Sequence, residues 1–354
     1  MTGIVTLTAA GAIDATYRVD ALRRGAFARA ESYTREVSGK GVNVSAALAA
    51  GGADTAAVVV LGTDDVRFAR AGSTAALLRI VEVPGATRVN TSIIDAEGAT
   101  TKVNAPTPPL SADAWEATIS ALRDELAARE KPWLVISGSL PELAGTAAPV
   151  ELAAVRVLAR ELGARVAVDT SGAALDALLA DPSGIDLLTP NVDELAAAVG
   201  RPLASIGDVI AAAREIVARG VPTVLASMGA DGLLAVTAER AVFARAQAPV
   251  IANTAGAGDA ALAGFLLGLT LVPPVDADRP DAAAAGASAP NAGPPAARRP
   301  DADRLAAAAA SAAEWGAHAV AHASTIVAGP PSGIRAEFDD APDLLRALSP
   351  EGDA

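Results

Sequence analysis

The stretch Asn253–Gly264, NTAGAGDAALAG, places one carboxylate behind a loop with almost no side chains. Small residues from Ala255 through Gly256 and Ala257 to Gly258 let backbone N–H groups turn inward. A helix starting there adds the positive end of its dipole, and together these suit an anion. The same dipole would keep Asp259 ionised and able to accept a proton from a hydroxyl. The plain alternative is an N-terminal cap aspartate after a glycine turn.

Further stretches carry polar groups at suggestive spacing. In SGKGVNVSAALAAGG (38–52), Gly39, Lys40 and Gly41 precede a helix as in a phosphate loop, although the Walker order fails because glycine follows the lysine. Asn43 either bonds sugar hydroxyls from that helix mouth or caps the turn. In TPNVDEL (189–195), Asn191 and Glu194 have the spacing of a capping box. Glu194 is alternatively placed to hold a water on a Mg²⁺ ion that bridges nucleotide phosphates. SMGADGLLAV (227–236) follows a strand, and its Asp231-Gly232 pair signals a hairpin turn. Ser227 and the Gly229 backbone there are also placed to meet a nucleotide. Arg88, Asn90 and Lys102 fall on a candidate hairpin, either facing a ligand or as ordinary surface charge. His318 and His322 lie four apart on one helix; with no third histidine in the chain, a packed or solvated face is favoured over a metal pair.

These stretches need a frame to bring them together. Strand-like runs at Ile4–Thr8, Ala56–Leu61, Leu134–Ser137, Arg165–Val168, Asp186–Thr189 and Thr223–Ala226 alternate with helical ones. The helices are expected over 42–50, 111–129, 150–162, 172–180, 192–199, 209–219 and 305–323. This alternation predicts a mostly parallel sheet with helices on both faces, and ligands at the carboxyl ends of its strands. Tyr17–Asp20 with Ser32–Val37, and Arg88–Asp95 with Thr100–Asn104, lack intervening helices and predict a small separate sheet, a lid or dimer surface. Residues 273–304, rich in Pro, Ala and Asp without periodicity, predict a disordered surface insertion.

Composition narrows the function classes. The 354 residues carry a net charge of -13, which argues against nucleic acid as the main partner. No cysteine is present, so disulfides, thiolate metal sites and cysteine nucleophiles are excluded. The first residues lack the basic region of a signal peptide, and the longest apolar run, 260–272, is shorter than the ~20 residues that span a bilayer. A soluble cytoplasmic protein is expected, with no membrane partner. Lysine is confined to Lys40, Lys102 and Lys131. Two of these lie beside glycine or in the polar hairpin, away from the helix surfaces where lysine usually accumulates.

In combination and order, the motifs resemble the PfkB (ribokinase-like) family of carbohydrate kinases. GKGVNV (39–44) is similar to the first family signature and NTAGAGDAALAG to the second. TRVN (87–90), SGSLP (137–141), VDTSG (168–172) and PNVDEL (190–195) are similar to its sugar-phosphate branch. The resemblance implies one ribokinase-like three-layer α/β/α domain over 1–354, with lid strands at about 15–37 and 86–105. It implies ATP-dependent transfer to a ketohexose phosphate, with fructose 1-phosphate favoured over fructose 6-phosphate or tagatose 6-phosphate. It implies Asp259 as general base and the 255–258 backbone as the hole for the transferring phosphoryl group. Asp14, Gly39, Lys40, Asn43 and Ser139 match substrate positions, and Arg29 and Arg88 match lid residues that meet the substrate's phosphate. Asn191, Ser227, Gly229, Gly232 and Ala255 fall to the nucleotide, Glu194 to Mg²⁺ through water, and the lid to a homodimer. TAAGAID (8–14), Ser38, Thr189 and NAPTP (104–108) depart from the branch's pattern around the sugar pocket. They keep a sugar-phosphate-binding protein without turnover as the alternative of another class.

Overall fold

The computed structural model describes residues 3–146, 148–271, 300–322 and 324–349. Fourteen strands are named among them. In chain order they are β1 (Ile4–Thr8), β2 (Ala12–Val19), β3 (Ala30–Ser38), β4 (Thr55–Gly62), β5 (Leu78–Val83), β6 (Val89–Ile94) and β7 (Thr100–Asn104). There follow β8 (Trp133–Ser137), β9 (Arg165–Asp169), β10 (Leu187–Leu188), β11 (Thr223–Ser227), β12 (Leu233–Val236), β13 (Ala241–Ala246) and β14 (Ala336–Asp339). The helices are α1 (Lys40–Ala50), α2 (Val66–Ala71), α3 (Ala112–Ala127), α4 (Ala153–Glu161), α5 (Ala173–Ala180), α6 (Val192–Val199), α7 (Ile206–Ala218), α8 (Ala257–Leu271) and α9 (Pro300–Val320).

Ten strands form one sheet in the order β14-β13-β12-β11-β10-β9-β8-β1-β4-β5. From β11 to β5 the pairings are parallel, and β12, β13 and β14 close one edge antiparallel. Alternation along the strands sorts side chains between two faces, as the period of two requires. Val5, Leu7, Leu134, Ile136, Val166, Val168 and Val224 pack with residues of α3, α4, α5, α6 and α7. Ile4, Trp133, Val135, Ala167 and Leu225 pack against α1, α8 and α9 on the opposite side. That is the expected three-layer arrangement, and its core combines Ala, Val, Leu and Ile with the buried rings of Trp115, Trp133, Trp315 and Phe265.

The chain leaves β1 in both directions across the sheet, toward β4 and β5 on one side and β8 to β11 on the other. Such a reversal opens a crevice at the carboxyl ends of the strands. The second sheet has the order β3-β2-β6-β7 and stands on the segments that follow β1 and β5. No helix among the described residues is long and apolar enough to cross a membrane.

Several expectations need adjustment. β2 begins at Ala12, five residues before the expected Tyr17, so Asp14 is part of a strand paired on both sides. Strands β5, β12, β13 and β14 are additional to the expected ones. Of the expected insertion over 273–304, residues 300–304 belong to α9, whose start the sequence pattern placed at Leu305. The remainder, 273–299, lies outside the described residues.

A buried polar chain ties α1 to the sheet below the crevice. Thr6 Oγ1 donates to the Gly41 carbonyl at 2.7 Å, lies 2.9 Å from Ser45 Oγ, and Ser45 continues to Thr55 Oγ1 at 3.0 Å. Thr6 and Ser45 are inaccessible to solvent, so removing one member strands the others. Thr6→Val keeps the shape and deletes the hydroxyl; it should cost about 1–3 kcal/mol in urea unfolding, the penalty of unsatisfied buried groups. A loss under a few tenths would show that the chain does not anchor α1.

Candidate active site

Five side chains gather at or just beyond carboxyl ends of neighbouring strands: Thr8 of β1, Ser137 of β8, Asp169 of β9, Thr189 after β10 and Ser227 of β11. The starts of α1 and α8 face them from the opposite helical layer. Both starts pass through glycines in the left-handed region, Gly39 at φ 133° and Gly256 at φ 82°. A Cβ on Gly39 would sit 2.4 Å from Thr8 Cγ2, so the close approach of α1 to β1 requires glycine there.

Asp259 lies in the first turn of α8, three residues past Gly256, and is buried. It is not the cap residue. Its Oδ2 accepts a hydrogen bond from Asn43 Nδ2 on α1 at 2.9 Å, and the other Asn43 atom, Oδ1, is buried without a partner among the described residues. Burial works against the helix dipole that was expected to keep Asp259 ionised. Burial raises its pKa to about 7, and the neighbouring Asp169 charge adds to the rise. Lys40 and the Asn43 bond pull the other way without cancelling it. Desolvation penalises a buried anion more strongly than one turn of helix favours it.

Lys40 Nζ is 3.2 Å from Asp169 Oδ1, and Ser137 Oγ donates to Asp169 Oδ2 at 3.0 Å. Burial would pull the lysine down, but Asp169, Asp259 and Glu194 together hold it above the ordinary ammonium value. These groups line a cavity of about 180 Å³ with Thr189, Asn191, Ser227, Gly256 and Gly258. Asn191 and Glu194 make the complete capping box of α6, with Glu194 N–H to Asn191 Oδ1 at 2.8 Å and Asn191 N–H to Glu194 Oε2 at 3.0 Å. Both still face the cavity.

A larger cavity, about 360 Å³, lies under the second sheet. Register explains its lining. Glu36, Asp14, Asn90 and Asn104 are cross-strand neighbours in one row, and Thr34, Thr16, Ser92 and Lys102 form the next. All eight line the cavity, with Arg18, Ser32, Asn253, Ala255, Ser324 and Thr325. Asp14 is fixed by Ser38 Oγ at 2.6 Å and Asn90 Nδ2 at 3.2 Å. Ser324 donates to both Glu36 oxygens at 3.0 and 2.9 Å, bridging the sheet to the segment after α9. The Gly-rich turn thus separates two spaces, with Ala255 on the larger and Gly256, Gly258 and Asp259 on the smaller.

Not every expected residue reaches a cavity. The Arg88 guanidinium donates to the carbonyls of Ala10 (3.1 Å) and Gly11 (3.3 Å) and to Thr107 Oγ1 (3.0 Å), bracing the turn after β1. Arg29, Gly39, Asn43, Ser139, Gly229, Gly232 and Ala257 are absent from both linings. Of the amides expected to bind an anion, Ala255 N–H donates to Asn253 Oδ1 at 3.0 Å and Ala257 N–H to the Thr254 carbonyl at 3.5 Å. Gly256 and Gly258 are the members of that turn that border the smaller cavity with Asp259. His318 Nε2 meets the Gly329 carbonyl at 3.0 Å and His322 Nδ1 the His318 carbonyl at 2.7 Å, so each ring is bonded to a backbone carbonyl.

Residues the sequence reading left without a role complete the site. Asp169 stands within VDTSG, where strand ends gather, and that position was the available signal. Glu36, Arg18 and Ser324 carry no motif; alternation along β2 and β3 identifies the first two only once the sheet's polar face is known.

The sheet order and the paired cavities define a ribokinase-like fold with a second small sheet over its crevice. A pfkB family carbohydrate kinase description matches residues 1–291, and the chain belongs to that family. A 1-phosphofructokinase from Rhodobacter capsulatus is 41% identical over 275 residues, covering 76% of this chain and 84% of that protein. One from Xanthomonas campestris is 37% identical over 277 residues, covering 75% and 83%. The solved structure of phosphofructokinase-2 from Escherichia coli in complex with fructose-6-phosphate superposes with a TM-score of 0.63 at 31% identity, covering 77% of this chain and 88% of that one.

A raised carboxyl pKa has a stability consequence of definite sign. The unfolded aspartate titrates near 3.8 and the folded one at about 7. Folding therefore favours the proton, and burying Asp259 costs most above pH 7. That cost fades as pH falls from 7 toward 4. Asp259→Asn should accordingly melt higher than the wild type at pH 8, with the difference shrinking by pH 5. A constant difference between the two pH values would contradict the raised pKa.

Proposed function

We propose that the chain is a cytoplasmic kinase that transfers the terminal phosphoryl group of ATP to fructose 1-phosphate, giving fructose 1,6-bisphosphate. The observation that carries this reading is Asp259, a buried carboxylate beside the thin turn that separates two polar cavities, where burial raises its pKa to about 7. Such a base can take a hydroxyl proton near neutral pH, and a turn of glycine and alanine lets a phosphoryl group pass close by. The names of the curated relatives support fructose 1-phosphate, and the fructose-6-phosphate complex of the structural neighbour supports the ketohexose-phosphate class.

The larger cavity suits the sugar phosphate. Asp14 with Asn90 offers fixed hydroxyl partners, and Arg18 and Lys102 supply positive charge for the existing phosphate. Asp14 and Lys102 sit in adjacent rows, about 7 Å apart along the strand direction and two strands apart across the sheet. Because Arg88 braces backbone carbonyls, it shapes this wall from behind.

The smaller cavity suits the nucleotide's phosphates. Its oxygen donors, Glu194, Asp169 and Asn191, fit Mg²⁺ held largely through waters and phosphate oxygens. No cluster of three or more metal-ligating side chains occurs among the described residues, so the protein alone offers no cage. Bound with ATP, the ion would supply positive charge opposite these carboxylates, leaving Lys40 and the turn to orient the transferred group.

Coupled assays with ATP and each ketohexose phosphate test the reading, with fructose 1-phosphate expected to show the highest kcat/KM. Asp259→Asn should lose about 10²–10⁴ in kcat, the usual share of a general base, while retaining ATP affinity. Wild-type turnover in that variant would remove Asp259 from the chemistry. Sugar-phosphate binding without turnover in the unaltered protein would favour a binding protein instead.

The outward face of the second sheet suggests a second copy of the chain as its partner. Tyr17 and Tyr33 pack there with centroids 4.7 Å apart, and Val89 and Val103 are exposed elsewhere on the same face. Light scattering should find a dimer that Tyr33→Asp with Val103→Asp converts to monomer. An unchanged mass would place the interface elsewhere.

A further inference from the structure

The turn between β11 and β12 is held from outside by the C-terminal segment. Asp231, at the tip of that turn, is 6% exposed. Its carboxylate accepts Ser349 N–H at 2.6 Å, Ser349 Oγ at 3.1 Å and Arg346 Nη2 at 3.3 Å. The Arg346 guanidinium also lies over the Phe243 ring of β13, 5.3 Å from its centroid.

The same segment closes the start of α7. Ile206 N–H donates to the Arg346 carbonyl and Gly207 N–H to the Leu344 carbonyl, each at 3.0 Å, while Leu348 N–H returns to Ala204 O at 3.0 Å. Helix starts leave orphan amides, and here another chain segment satisfies two of them. The segment is therefore bonded on both sides, to α7 and to the β11–β12 turn.

What the turn carries gives the contact its meaning. Ser227 ends β11, Leu233 begins β12, and both line the smaller cavity with Leu225. Within the turn, Asp231 N–H donates to Met228 O at 3.0 Å and Met228 N–H to Gly232 O at 2.8 Å. The residue gripped from behind thus closes the hairpin whose strand ends face the cavity.

We propose that the segment Asp343–Ser349 is a strap that positions the nucleotide side of the site through Asp231, which acts as a positioning residue and touches no substrate. The inference rests on the kinase reading, in which the smaller cavity takes ATP. Loosening the strap frees the tip of the hairpin, so nucleotide affinity falls while the sugar cavity under the second sheet keeps its shape.

Asp231→Ala and Arg346→Met are compared with the full-length protein, together with a chain ending at Pro342. In the point variants, KM for ATP and the calorimetric Kd for ADP should rise about five- to tenfold, with KM for the sugar phosphate and saturating kcat changed less than about twofold. Asp231→Asn, which keeps two acceptors or donors in place but no charge, should fall between. Should the truncated chain fail to fold through loss of the α7 contacts, the point variants still decide. Unchanged ADP affinity in folded Asp231→Ala, or equal weakening toward both substrates, overturns the strap. Failure of the unaltered protein to bind ADP or ATP would instead overturn the kinase reading.

Discussion

The bond between Asn43 and Asp259 joins residues 216 positions apart, and the rest of the site depends on it. A carboxylate beneath the surface is costly unless donors reach it. Here the donor comes from the first turn of one helix and the carboxylate from the first turn of another. Both helix starts must therefore meet over the centre of the sheet. The Thr6–Ser45–Thr55 chain holds α1 against β1 and β4, and α9 packs along α8 behind.

Charge within the smaller cavity follows from the same geometry. One lysine faces Asp169, Asp259 and Glu194, so the acids outnumber the base. Asp169 keeps Lys40 charged, yet its own charge helps hold Asp259 near neutrality in pKa. The two effects are linked through one carboxylate. An arriving phosphate meets this excess of negative charge, which is why, in the proposed reading, a divalent cation must accompany it.

Much of the scaffold was legible because its strands are short β-branched runs separated by helices with distinct stops. The strands β1, β4, β8, β9 and β11 emerged within a residue or two of their expected ends, and Asn191 with Glu194 formed the expected box. The antiparallel edge was not legible, since β12 and β13 are apolar runs without period and β14 pairs from the far end of the chain. The rise in the pKa of Asp259 is not legible in the sequence for a physical reason. The helix dipole is a local property visible in sequence, whereas burial depends on α1, 216 residues away. The contacts of Arg88 are hidden similarly: TRVN marks the strand it precedes, but not that the turn after β1 presents two bare carbonyls to its guanidinium.

The second sheet shows how one strand period can serve two ends. Asp14, Thr16 and Arg18 turn toward the cavity, while Ile13, Ala15 and Tyr17 turn away. A one-residue slip in β2 would exchange these faces, putting apolar side chains into the polar cavity and carboxylate outside. Register is therefore under double constraint, and Asp14 supplies part of it through bonds to Ser38 on one side and Asn90 on the other. If the outward face meets a second copy, the partner reinforces the register that keeps Asp14 over the site. Association and substrate recognition then rest on the same backbone pairing, and neither can be altered in this sheet without touching the other.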